Sequence, residues 1–77
     1  MGIEDLVRRT LLMRPDTRIE DRHGPGMLPG WDSLGHVRLL AAIQSQYAVK
    51  FDAKDVMQIR TLADIKRVLA EKGVPEP

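Results

Sequence analysis

Gly30-Trp31-Asp32-Ser33-Leu34-Gly35-His36-Val37-Arg38-Leu39-Leu40 is the stretch on which the fold turns. Pro29 and Gly30 mark a loop before it. Asp32 is a good N-cap, because its carboxylate can accept from a free backbone N–H in the first turn. A helix is therefore expected to begin at Ser33, with that serine exposed beside a loop. This end of a helix favours negative charge, through unpaired N–H groups and the macrodipole. A phosphate ester on Ser33 Oγ suits the position.

The helix read from here covers 33–47 and has two apolar faces. At about 100° per residue, His36, Leu39, Leu40, Ile43 and Tyr47 fall on one side. Leu34, Val37 and Ala41 fall on another, near Ser33. A small bundle needs only the larger face for its core. The smaller face is expected to be exposed and used for docking, with Arg38 at its rim; the competing reading is contact with the preceding loop.

Upstream, residues 3–13 read as a helix with Ile3, Leu6, Val7 and Leu11 as its apolar stripe. Glu4 and Asp5 precede Arg8 and Arg9 by four residues, the favourable order for exposed pairs. Residues 14–32 form a long loop, since Pro15, Gly24, Pro25, Gly26, Pro29 and Gly30 exclude a continuous helix. Ile19, Met27 and Leu28 are its expected attachments to the core. Trp31 is either a fourth attachment, which the reading favours, or part of the surface beside Ser33.

Downstream, Val49-Lys50-Phe51 is short and extended, with Val49 or Phe51 turned inward. Asp52 caps a brief third helix through Val56 and Met57, with Asp55 at N3. Thr61 opens the last helix, and Asp64 three residues on makes a capping box with a shorter acid. Leu62, Ile65, Val68 and Leu69 supply its buried stripe. Gly73 is a natural C′ residue, and residues 72–77 read as a loose tail.

These residues carry a resemblance. Asp32-Ser33-Leu34 heads an amphipathic helix about 30 residues into a short helical chain, after a helix and a long loop. Phe51, Ile59-Arg60-Thr61 and Asp64-Ile65 follow at family-like spacing. The pattern resembles an acyl carrier protein, or the closely related peptidyl and aminoacyl carriers, over nearly the whole chain. The resemblance implies an all-α fold, a small four-helix bundle of three longer helices and one short one with a long loop between the first two. It implies 4′-phosphopantetheine on Ser33, with Asp32 as helix cap and motif residue. It implies docking through Leu34, Val37, Arg38, Ala41 and Met57. The implied partners are a phosphopantetheinyl transferase, an acyl- or aminoacyl-activating ligase and downstream biosynthetic enzymes. The Gly-Trp-Asp-Ser-Leu-Gly-His string is most similar to stand-alone carriers that serve a specialised pathway. Read without the resemblance, Asp32 and Ser33 are only a helix cap.

Composition bounds the alternatives. Seventy-seven residues suit one domain, 1–77, with one small core. There is no cysteine, so thiol chemistry needs an imported thiol. No apolar run spans a membrane, and Met1-Gly2-Ile3-Glu4-Asp5 is no signal peptide, so a soluble, cytoplasmic chain is expected; a monomer is also expected. The net charge of +1, with signs interspersed, is no strong nucleic-acid or membrane signal. His23 and His36 have no partners at metal-ligand spacing. His36 lies one turn from Ser33, but no acid is placed to orient it, so a hydrolase reading is poor and no catalytic residue is expected. The rival function class is a helical binding module without a prosthetic group, such as a helix-turn-helix nucleic-acid binder using Arg38, Lys50, Lys54, Arg60, Lys66 and Arg67. Against it, the turn before the second helix is far longer than that motif's three or four residues.

The resemblance also fails in places. Carriers of this kind commonly have glycine where this chain has Ala48. They usually present acids where this chain has Arg38, Gln44, Ser45, Gln46, Lys54 and Met57. From Ser33 to Lys72 the basic residues Arg38, Lys50, Lys54, Arg60, Lys66, Arg67 and Lys72 face only Asp52, Asp55, Asp64 and Glu71, a net of +3.

Overall fold

A computed structural model describes residues 2–77. Four helices follow in order: α1 (Ile3–Thr10), α2 (Ser33–Tyr47), α3 (Ala53–Gln58) and α4 (Leu62–Glu71). They form a small helical bundle of 29 × 24 × 20 Å, the fold class expected from the sequence. The apolar stripes meet as the periodicity predicts. Ile3, Leu6 and Val7 of α1, Leu39, Leu40 and Ile43 of α2, and Leu62, Ile65, Val68 and Leu69 of α4 share one core. Each such side chain contributes about 1.5–3 kcal/mol by leaving water.

The helix starts are set by local chemistry. The Asp52 carboxylate accepts from the Asp55 N–H at 2.8 Å, and Asp55 accepts in return from the Asp52 N–H. Thr61 and Asp64 form the same reciprocal box at α4. The ends of α1, α2 and α4 share a different device. After α1 the Met13 N–H bonds the Arg8 carbonyl and the Leu12 N–H bonds the Arg9 carbonyl. After α4, Val74 and Gly73 make the matching bonds to Leu69 and Ala70. After α2 the Val49 N–H reaches the Gln44 carbonyl. Such endings require a left-handed residue. Gly73 supplies it at φ +94°, Leu12 at +56° and Ala48 at +53°.

This device corrects two expectations, and packing decides a third point left open. The first helix stops at Thr10 rather than 13, because Leu12 turns left-handed and closes it. Lys72, Gly73 and Val74, assigned to a loose tail, are hydrogen-bonded into the turn that ends α4, and Val74 packs on the core. Of the two inward candidates before α3, Phe51 is buried while Val49 packs half-buried against the core.

The loop between α1 and α2 is attached at Ile19, Leu28 and Trp31, and Trp31 is completely buried. Met27, expected to join them, is half exposed instead. The loop also closes the start of α4. The His23 and Asp21 carbonyls accept from the Leu62 and Ala63 N–H groups at 2.9 and 3.0 Å. Gly24 permits this approach, since a methyl group there would overlap the Arg60 carbonyl oxygen. His23 is buried, with Nδ1 accepting from the Glu20 N–H. The α1 charges are not the simple solvated pairs expected. Arg8 bonds Asp5 and reaches the Thr17 carbonyl, while Glu4 pairs with Lys66 of α4, which also holds Asp21. These bonds tie α1, the loop and α4 together.

Candidate functional site

The first turn of α2 is closed on one side and open on the other. Asp32 is extended, and its Oδ1 accepts from the Gly35 N–H at 2.7 Å. Its carbonyl accepts from the His36 N–H at 2.8 Å. Ser33, the first helical residue, is exposed. Among the described residues no acceptor meets the N–H of Ser33 or Leu34. At α4 the equivalent donors are occupied by the loop. The start of α2 therefore keeps two free donors and the positive end of its dipole at Ser33. That environment fits a phosphodiester on the serine.

Packing holds this turn in place. A methyl group on Gly35 would overlap the Gly30 carbonyl oxygen and lie 3.1 Å from Leu11 Cδ2. The backbone of the loop thus rests directly on the helix. Trp31 adds a second attachment through its indole N–H, which donates to His36 Nδ1 at 3.0 Å, and the two rings stack at 23°.

His36 is accordingly a fastening rather than a base. Its Nδ1 accepts from Trp31, which leaves the ring proton on Nε2, on the side of the Ile59 carbonyl. Burial holds its pKa below the ordinary histidine range, although the Ile59 carbonyl opposes the shift. A neutral imidazole whose Nδ1 lone pair already accepts from Trp31 has none to offer Ser33.

The exposed side of α2 carries Leu34 (60 % exposed), Val37 (65 %), Ala41 and Arg38. The Phe51 N–H bonds Gln44 Oε1 at 2.8 Å, which ties the segment before α3 to α2. Met57 of α3 is 75 % exposed, and Val56 beside it is also open to solvent. Sequence reasoning named Met57 and passed over Val56, although two adjacent apolar residues on a six-residue helix were a usable signal. Leu12 was missed as well. It is 90 % exposed and lines a depression of about 200 Å³ with Gly30, Asp32, Leu34, Gly35 and Arg38. No sequence signal marks a left-handed leucine.

Residues 3–69 match the family model described as the phosphopantetheine attachment site. The chain belongs to that family, whose members carry 4′-phosphopantetheine covalently. No curated protein and no solved structure matches the chain. Among the described residues no helix is long and apolar enough to cross a membrane.

Proposed function

We propose that Ser33 is the residue that carries the phosphopantetheine, and that residues 1–77 act as one cytoplasmic carrier domain that is not itself an enzyme. One observation supports this above the others: Ser33 stands exposed on a helix start whose first two N–H groups are free. Asp32 holds the turn, Gly35 and Trp31 fix it against the loop, and the free donors stabilise the phosphodiester's charge. The phosphopantetheine supplies a thiol, which this cysteine-free chain lacks, on a flexible arm that holds an acyl or aminoacyl group as a thioester. A phosphopantetheinyl transferase installs it, an activating ligase loads the cargo, and downstream enzymes collect it. Tethering keeps the cargo at high effective concentration beside whichever enzyme docks. Leu34, Val37, Arg38, Ala41 and Met57 form the docking surface.

The test is co-expression with a broad-specificity transferase, followed by intact mass measurement. A single phosphopantetheinyl adduct is expected. An unmodified mass, where a control carrier is modified, would overturn the proposal and favour a binding module without a prosthetic group.

A further inference from the structure

The α2–α3 side differs from the rest of the surface in how its charges are used. Of the twelve lysines and arginines, Arg9, Arg38, Lys50, Lys54 and Arg60 lie in no ion pair among the described residues. All but Arg9 fall on α2, on α3 or on the segments flanking α3. The acids nearby are already committed. Asp32 and Asp52 cap their helices. Asp55 holds the Asp52 N–H and pairs with Lys72 at 2.9 Å. Asp64 accepts from the Arg60 and Thr61 N–H groups and pairs with Arg67 at 2.7 Å. Helix α2 itself contains no acid. Asp32 and Asp52 keep their charge as caps, so against Arg38, Lys50, Lys54 and Arg60 the unpaired charge on this side is a net +2.

That charge surrounds unpartnered apolar surface. Leu34, Val37 and Ala41 on α2 and Val56 and Met57 on α3 are open to solvent. By helical spacing Arg38 borders the α2 residues on the side away from α3, and Lys54 and Arg60 lie on and just after α3. An apolar centre with a charged rim is the ordinary anatomy of a protein docking site.

We propose that this face receives protein partners whose docking surface is an apolar depression ringed by carboxylates. The inference rests on the carrier reading and names the chemistry of its partners. Rim charges act mainly on encounter rate and salt dependence. Facing like charges also exclude enzymes with basic docking surfaces. The unpaired Arg38, Lys54 and Arg60 thus both attract the right enzyme and repel the wrong one.

The test uses two purified phosphopantetheinyl transferases, one with an acidic carrier-docking surface and one with a basic one. Loading of the whole chain is followed at low and high salt for wild type and for Arg38→Glu/Lys54→Glu. The acidic enzyme is expected to load wild type with kcat/KM about tenfold higher at low salt than at high salt, and the double variant is expected to reverse the order of the two enzymes at low salt. Both side chains are exposed, so an unchanged melting temperature confirms that the variant folds. Equal salt responses of the two enzymes, or an order unaffected by the double substitution, would overturn the inference and leave the carrier reading intact. No transfer by either enzyme would overturn both.

Discussion

Trp31 and His36 are joined at 3.0 Å by a hydrogen bond that runs from the indole N–H to the imidazole Nδ1. The bond links the last stretch of the loop to the first turn of α2, one turn beyond Ser33. The burial of His36 also sets a pH dependence. Unfolded His36 takes up a proton near pH about 6.5, whereas burial lowers its folded pKa. The unfolded state therefore binds more protons below that pH, and stability falls as pH drops from about 6.5 towards the folded value. Above that window the contribution is complete. NMR titration should show His36 protonating at lower pH than a histidine peptide. In Trp31→Phe, Nδ1 loses its donor and the pKa should rise. An unchanged titration in Trp31→Phe would mean that the bond has no influence on the ring.

Ala48 holds a conformation that suits glycine, at φ +53°. A left-handed alanine is strained by roughly 1 kcal/mol, and Ala48 is exposed, so glycine costs no packing. Glycine's extra freedom in the unfolded chain offsets part of the gain. Ala48→Gly should raise the melting temperature by about 2–5 °C for a domain of this size. Leu12→Gly at φ +56° should act in the same direction. A fall in melting temperature for Ala48→Gly would contradict the left-handed assignment, because glycine inside a helix costs about 1 kcal/mol.

Gly35→Ala and Gly24→Ala separate stability from function. Alanine in mid-helix is ordinarily favoured by about 1 kcal/mol, but the obstacle at Gly35 is the Gly30 carbonyl, which is backbone and cannot rotate away. Overpacking of about 1–3 kcal/mol should win, and Gly35→Ala should melt lower. Gly24→Ala meets the Arg60 carbonyl and should melt lower too. Only Gly35→Ala displaces the loop from the Ser33 turn. Phosphopantetheine transfer per folded molecule should therefore slow for Gly35→Ala and stay near wild type for Gly24→Ala. Equal effects on transfer would show that the Gly30–Gly35 contact does not position Ser33.

Much of this fold was legible because its helix starts are local. Asp32, Asp52 and the Thr61–Asp64 box act on N–H groups three residues away, so the sequence displays both partners. The stripes of α1, α2 and α4 were legible for the same reason, since their spacing alone defines a face. The helix ends were harder. Gly73 announces its turn, but Leu12 is left-handed beside Met13, which packs on the core, a contact no local pattern reveals. Long-range choices were hidden as well. Glu4 prefers Lys66, some sixty residues away in sequence, to its helical neighbour Arg8. The glycines at 24 and 35 were visible, but not the carbonyls pressed against them. At the candidate site the cap, the exposed serine and the apolar face could be read in advance. The engagement of His36 Nδ1 by Trp31 needed the folded chain.

The attachment of phosphopantetheine to Ser33 can be measured on one peptide. Trypsin releases His23–Arg38, in which Ser33 is the sole hydroxyl-bearing residue. After incubation with coenzyme A, magnesium and a transferase, the phosphopantetheinyl mass should appear on this peptide in wild type and be absent throughout Ser33→Ala. The adduct on another peptide, such as the one containing Ser45, or its persistence in Ser33→Ala, would contradict the account.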